Sequence, residues 1–180
     1  RAERREDIIS WIEKKFRVKQ RYSFEGFEEE GLILEGTGSM VLDRENQTVY
    51  ACLSPRTDPA LLDRFALLRN YTKVVFNAID QKFNPVYHTN VIMAMGKHEA
   101  ILCSECIPND AEKKAISDSI HSTGKTLIEI TWSQVLNFAG NMLQLRNAAG
   151  DLYWVMSSSA YDSLTYEQKT GLQKQARIIH

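Results

Sequence analysis

Long apolar segments and an excess of charge of one sign are both missing from this 180-residue sequence. No apolar run approaches the roughly 18 to 20 residues that cross a bilayer, and no segment has the features of a secretory signal peptide. The 22 basic and 23 acidic side chains leave a net charge of −1, without the clustered positive charge that binds nucleic acid. We therefore expect neither a membrane nor a nucleic acid as a partner.

Cysteine is also scarce: the sequence contains three cysteines, which is an odd number. Cys52, Cys103 and Cys106 lie in or beside apolar, strand-like segments, which favours reduced, buried thiols in a cytoplasmic protein. The pair Cys103 and Cys106 has no second pair to complete a zinc site, and Pro108 follows too closely for this pair to open a helix as a redox motif. The sequence therefore predicts no metal site and a structural role for the cysteines.

A pattern that repeats three times is what the sequence does contain. Glu35, His88 and Asn141 are polar residues separated by 53 positions each, and each begins a segment of type ββαβ. The repeats cover residues 35–78, 88–130 and 141–180. Their predicted strands are Ser39–Asp43, Thr48–Leu53 and a buried Lys73–Ala78; Val91–Met95, Ala100–Cys103 and Thr126–Ile130; and Met142–Leu145, Leu152–Met156 and a short strand at Ile178 and Ile179.

Each repeat contains one predicted helix with a recognisable start. Asp58 precedes Pro59, so a capping carboxylate is followed by proline at the first helical position, where its missing N–H costs nothing. Asp110 is predicted to cap the second helix, and Thr165 with Gln168 forms a capping box for the third. The residues predicted to face inward are Leu61, Leu62, Phe65 and Leu68; Ala111, Ala115, Ile116 and Ile120; and Leu172.

The two ends of the chain do not coincide with repeat boundaries. Residues 1–17 carry Ile8, Ile9, Ile12 and Phe16 at helical spacing, and Lys19–Ser23 resembles a strand. We interpret residues 1–24 as the αβ tail of a preceding repeat, while the third repeat has barely begun its last strand at residue 180. Since repeat folds close into a ring or cap their ends, we expect a fragment of a longer protein.

Four ordered motifs carry a resemblance to a known family over essentially the whole chain. They are residues 35–44 (EGTGSMVLDR), 50–57 (YACLSPRT), 87–96 (YHTNVIMAMG) and 138–143 (FAGNML). These segments resemble the arginine deiminase-related amidinotransferase family of guanidino-group-modifying enzymes, and within it the bacterial citrulline-utilisation hydrolases. The resemblance implies a five-bladed α/β propeller (pentein), of which this chain would be an incomplete part. It also implies a guanidino or ureido amino acid as the small-molecule partner.

The resemblance also implies roles for individual residues. Glu35 matches the acidic residue that binds the N–H groups of the substrate, and His88 matches the general acid/base. Arg56 matches the arginine that binds the α-carboxylate of the substrate, a task suited to a planar bidentate donor. Asn141 matches a position that lines the channel. The implied mechanism is covalent, with attack by a cysteine thiolate, and needs no metal and no organic cofactor.

Two departures from the family pattern affect the expected chemistry. Relatives that process arginine carry aspartate two residues after the histidine, where this chain has Asn90. An amide binds a neutral ureido group without leaving a buried charge unpaired, so we expect citrulline rather than arginine as the substrate. The glycine-rich motif with the nucleophilic cysteine does not occur before His180. We therefore expect that the nucleophile is absent from this chain and that the chain alone is inactive.

Other interpretations of the same residues stay open. Glu35 would otherwise be a loop carboxylate, His88 a hydrogen-bonded core histidine, Arg56 a solvated loop arginine, and Asn90 and Asn141 backbone partners at strand ends. The sequence does not decide between citrulline, arginine and their derivatives, or between a hydrolase and an amidinotransferase. A non-catalytic binding propeller, as in the ribosome anti-association factor, is the alternative of another class, and a homo-oligomer that covers the open edges is also left open.

Overall fold

The computed structural model describes residues 5–180, which form two compact units, one ending at Gly31 and one from Leu32 to His180. In the first unit, helix α1 (Glu6–Lys15) is followed by a 3-10 helix at Glu25–Glu30. The predicted helix is confirmed over these bounds, while residues 1–4 lie outside the described residues. Lys19–Ser23 is not a strand, so that prediction is wrong. A strand requires a hydrogen-bonded neighbour, and residues 5–31 contain no other strand.

The second unit contains three small sheets that share one strand order. In each sheet, the first two strands pair antiparallel and the third pairs parallel to the second, as the ββαβ pattern requires. The strands are β1 (Val41–Asp43), β2 (Thr48–Cys52) and β3 (Thr72–Phe76); β4 (Met93–Met95), β5 (Glu99–Leu102) and β6 (Thr126–Glu129); and β7 (Leu143–Arg146), β8 (Leu152–Val155) and β9 (Arg177–Ile179).

The starts of two predicted first strands are turns instead. Helix α2 (Gly36–Ser39) is a single turn that includes Ser39, and a 3-10 helix at Thr89–Val91 precedes β4. Glu35 and His88 each stand immediately before one of these turns. The strands β1, β4 and β7, which begin the three sheets, lie side by side.

In every repeat, a helix begins directly after a residue whose side chain caps its first N–H groups. Asp58 accepts hydrogen bonds from two backbone N–H groups at the start of α3 (Pro59–Arg69), and the predicted capping box of Thr165 and Gln168 is confirmed. The prediction of Asp110 as a cap is wrong, because Asn109 is the residue whose side chain accepts the first N–H groups. The other helices are α4 (Asp110–Ser122), α5 (Trp132–Val135), α6 (Ser158–Ser163) and α7 (Tyr166–Gln173), of which α5 and α6 were not predicted.

The core is continuous from the first sheet to the third and is best seen around β2, whose five residues are all buried. One face of β2 packs under α3 with Leu62 and Ala66, and the other face meets the main core. Ile116, Ile120 and Leu172 are fully buried, as predicted. The predictions were wrong for Leu68, Ala111 and Ala115, which are exposed, and for the buried character of β3, which is an edge strand and largely exposed.

A buried ion pair connects the first sheet to the second. The Nζ atom of Lys125 lies 3.4 Å from Oδ2 of Asp43, and both side chains are only 2% exposed. The same ammonium donates hydrogen bonds to the backbone carbonyls of Gly96 and Lys97. The Asp43 carboxylate also accepts hydrogen bonds from the backbone and the side chain of Asn46. Both charges are therefore compensated at the junction of two repeats.

Replacing one partner of this pair leaves the other charge buried without compensation. We expect Lys125→Met to lower the free energy of unfolding by about 3 to 5 kcal/mol, measured by urea denaturation. Lys114→Met is the matched control, because Lys114 pairs with Asp118 on the exposed side of α4 and its loss should change stability little. Equal effects of the two substitutions would contradict a structural role for the buried pair.

Candidate active site

The central feature of the site is a contact between the polar residues that begin the first and second repeats. The Nε2 atom of His88 lies 2.5 Å from Oε2 of Glu35. Because an ionised carboxylate only accepts hydrogen bonds, the imidazole N–H is the donor in this contact. The side chain of His88 is 19% exposed and that of Glu35 is 40% exposed, so the pair is open to a small molecule.

Arg56 lies at the same carboxylate oxygen. Its Nη1 atom is 3.4 Å from Oε2 of Glu35, and its guanidinium carbon is 5.3 Å from the centre of the Tyr87 ring. The Tyr87 ring is in turn 4.8 Å from the ring of His88. The structure therefore brings together three of the predicted site residues, and it adds Tyr87, which was not predicted.

Two hydroxyl groups hold the segments that carry these side chains. The buried Thr89 hydroxyl donates to the carbonyl oxygen of Ser39 and accepts from the backbone N–H of Cys52. The Ser39 hydroxyl donates to the carbonyl oxygen of Arg56 and accepts from the backbone N–H of Glu35. The backbones of Glu35 and Arg56 are thus both hydrogen-bonded to the Ser39 hydroxyl, and His88 is adjacent in sequence to Thr89, which is hydrogen-bonded to Ser39.

Gly38 provides the surface on which the His88 ring rests. A methyl group on its α-carbon would lie 2.8 Å from Nε2 and Cε1 of His88, which is closer than real carbon contacts allow. The ring can therefore approach Glu35 only because position 38 lacks a side chain. The motif at residues 35–44 contains this glycine, but nothing in the sequence alone indicates which residue it accommodates.

Asn90 and Asn141 are placed differently from the other predicted residues. The side-chain amide of Asn141 donates to the backbone carbonyl of Asn90 at 3.0 Å. Both residues line a cavity of about 700 Å³ whose walls include β1, β4 and β7, whereas Glu35, Arg56 and His88 are not among its lining residues. The site is thus a surface feature beside this cavity, and the two asparagines lie on the cavity side.

The three cysteines are all buried and free. Burial raises the pKa of the Cys52 thiol, whose sulfur lies 3.5 Å from the Thr89 hydroxyl. The sulfurs of Cys103 and Cys106 are 3.3 Å apart, and their hydrogen bond lowers the pKa of Cys103 and raises that of Cys106. None of these thiols is exposed to a molecule at Glu35 and His88. Among residues 5–180, no cluster of three or more histidine, cysteine or acidic residues could hold a metal ion, and no helix is long and apolar enough to span a membrane.

Comparison with known proteins gives one family and one fold. Residues 1–180 match a family model described as N,N-dimethylarginine dimethylhydrolase, eukaryotic. No curated protein is significantly similar to the chain in sequence.

Among solved structures, apo ArgZ, an arginine dihydrolase from the ornithine–ammonia cycle in cyanobacteria, is similar with a TM-score of 0.61 and 18% identity, over 87% of this chain and 24% of that one. The N-terminal domain of ArgZ has a TM-score of 0.63 and 17% identity, over 87% and 56% of the two chains. AgrE in complex with L-arginine has a TM-score of 0.64 and 17% identity, over 87% and 23%. This chain thus spans about a quarter of full-length ArgZ and AgrE and shares their fold.

The Thr89 hydroxyl satisfies two buried backbone groups at once. We expect Thr89→Val, which keeps the shape but removes the hydroxyl, to lower the free energy of unfolding by about 2 kcal/mol, measured by chemical denaturation. Thr89→Ser keeps the hydroxyl and should lower the free energy of unfolding clearly less. If the two variants are equally stable, the hydroxyl does not hold the site segments together.

Proposed function

The chain belongs to the N,N-dimethylarginine dimethylhydrolase family and thereby to the guanidino-group-modifying enzymes, and from this membership we propose that it supplies the acid/base part of an active site that hydrolyses a guanidino or ureido group. The observation that carries the proposal is the 2.5 Å contact between His88 and Glu35, with Arg56 at the same carboxylate. A structural histidine in the core would be enclosed, whereas this pair opens to solvent.

Each polar group at the site has a role in the proposed reaction. Glu35 accepts hydrogen bonds from the N–H groups of the substrate and orients its planar group. His88 protonates the departing amine as a general acid and then removes a proton from the attacking water as a general base. Arg56 binds the α-carboxylate of the substrate. Asn90 and Asn141 contact the substrate from the cavity side. The proposed chemistry requires no metal and no organic cofactor.

A cysteine thiolate would begin the reaction by attacking the guanidino or ureido carbon, which gives a covalent intermediate. Cys52, Cys103 and Cys106 are all buried, so we propose that the nucleophile lies in a part of the protein outside these residues. The ArgZ domain in complex with substrate is a cysteine-to-serine mutant, and AgrE in complex with L-arginine is a cysteine-to-alanine mutant, which supports a cysteine-dependent reaction. The chain of 180 residues is then inactive alone.

The charges at the site favour a neutral substrate such as citrulline over arginine. Glu35 is the carboxylate that contacts His88, and the guanidinium of Arg56 already lies 3.4 Å from it. Asn90 contributes an amide where a second carboxylate would be needed to compensate a substrate cation. A ureido group would bind to Glu35 without displacing a charge, whereas an arginine substrate would compete with Arg56.

We further propose that the three sheets are successive blades of a five-bladed α/β propeller and that residues 1–24, in which the predicted strand does not form, belong to the preceding repeat. The shared strand order and the adjacency of β1, β4 and β7 support this arrangement. Similarity to the ArgZ domain supports it as well. The first strands of the blades would then surround a central channel, with the site at one end.

Ammonia release from citrulline and from arginine by the full-length protein tests the function. We expect faster turnover of citrulline, and we expect His88→Ala to lower kcat by about 100-fold or more through loss of acid/base catalysis. His121→Ala is the control, since His121 lies on the exposed side of α4.

Faster turnover of arginine would contradict the substrate assignment, and full activity of His88→Ala would contradict the site. A protein that binds citrulline without releasing ammonia would be a binding module instead.

The contact between Gly38 and the imidazole generates a second kinetic prediction. We expect Gly38→Ala to displace the His88 ring from Glu35 and to lower kcat by roughly 10- to 100-fold, with a smaller change in KM. Gly26→Ala is the matched control, because nothing lies within 4 Å of a methyl group at that position. A Gly38→Ala enzyme with unchanged kcat would show that the ring does not depend on this glycine.

A further inference from the structure

Tyr87 lies at the mouth of the site beside Arg56 and His88 and is 51% exposed. Its backbone is held in place by Ser54, whose hydroxyl donates to the carbonyl oxygen of Tyr87 at 2.8 Å. The same hydroxyl accepts a hydrogen bond from the backbone N–H of Arg56 at 3.1 Å. One serine therefore connects the segment of Tyr87 to the segment of Arg56 in the neighbouring repeat.

The ring of Tyr87 faces the guanidinium that this backbone contact brings near. The distance of 5.3 Å from the ring centre to the guanidinium carbon is within the range of a cation–π contact. The ring of Tyr87 also lies 4.8 Å from the His88 ring, with an angle of 52° between the two planes. Tyr87 contacts both groups through its ring, and its hydroxyl has no hydrogen-bond partner among residues 5–180.

Arg56 needs such a support because its side chain is long and 51% exposed. Its single contact with Glu35 is at 3.4 Å, which is longer than a strong charge-assisted hydrogen bond. A free arginine side chain would lose rotational freedom when it binds a carboxylate, and that loss weakens binding. A ring that already restricts the guanidinium removes part of this loss.

We propose that Tyr87 is the positioning residue for Arg56. Its ring holds the guanidinium at the mouth of the site, where it binds the α-carboxylate of the substrate, and this sets a preference for α-amino acids over substrates that lack the carboxylate. The proposal rests on the proposed function through the role of Arg56. The role proposed for Tyr87 differs from the proposed function because it concerns affinity for the substrate carboxylate rather than the chemical step at His88.

Kinetics of the full-length protein with two substrates provide the test. Citrulline carries the α-carboxylate, and 4-aminobutylurea has the same ureido chain without it. We expect Tyr87→Ala to raise KM for citrulline about threefold to fivefold, with little change in kcat and no change for 4-aminobutylurea. Tyr87→Phe keeps the aromatic ring, so its KM for citrulline should equal that of the unaltered protein. Tyr166→Ala, on the exposed side of α7, is the control for loss of a surface tyrosine.

A double-mutant cycle identifies the residue through which Tyr87 acts. With Arg56→Ala already present, Tyr87→Ala should cause no further rise in KM, because the guanidinium that the ring supports is gone. Independent, additive effects of the two substitutions would overturn the proposal. It would also be overturned by a fall in kcat for both substrates, which would indicate that Tyr87 acts through His88.

Crystal structures of the two tyrosine variants give a readout that needs no turnover. The Arg56 side chain should keep one position in Tyr87→Phe and take several in Tyr87→Ala. If Arg56 stays in place in Tyr87→Ala, the positioning role is wrong even for an active enzyme. If the unaltered protein hydrolyses neither ureido compound, the proposed function fails, while the position of Arg56 still decides the role of Tyr87.

Discussion

The contact between Glu35 and His88 depends on two sheets held side by side in one fixed arrangement. The two residues belong to different repeats, and neither has a local reason to meet the other. Buried polar contacts across the junction supply the constraint: the Thr89 hydroxyl bridges Ser39 and Cys52, and Lys125 pairs with Asp43. A shift of one sheet against the other would leave these buried groups without partners, and that cost maintains the geometry of the site.

The same junction explains why the site is both ordered and open. Polar groups below the surface hold the backbone near Glu35, Arg56 and His88, while the side chains themselves remain partly exposed. The carboxylate of Glu35 is contacted by a guanidinium and an imidazole through a single oxygen.

Similarity to ArgZ and AgrE at 17–18% identity shows that many different side chains can build this fold. What the fold requires in this chain is a strand order repeated three times, strands such as β2 covered on both faces, and helices that begin at capping residues. These requirements are met by residue classes rather than by particular residues. The positions around Glu35 and His88 are more demanding, as Gly38 shows, because a side chain there would force the His88 ring to shift.

The ββαβ order, the turns and the starts of α3 and α7 were predictable from the sequence, because they depend on the period of apolar residues and on capping by nearby side chains. The predictions were wrong at three places. Asn109 caps α4 one residue earlier than predicted. Lys19–Ser23 has no neighbouring strand to pair with, and β3 is exposed because it is an edge strand of its sheet. The repeat period in the sequence also selected Glu35 and His88 as candidates, and the family resemblance added Arg56. Only the tertiary structure decided that Arg56 contacts Glu35, that Tyr87 lies beside both Arg56 and His88, and that Lys125 is buried against Asp43. These contacts join residues from different repeats or loops, and no local pattern encodes such distances.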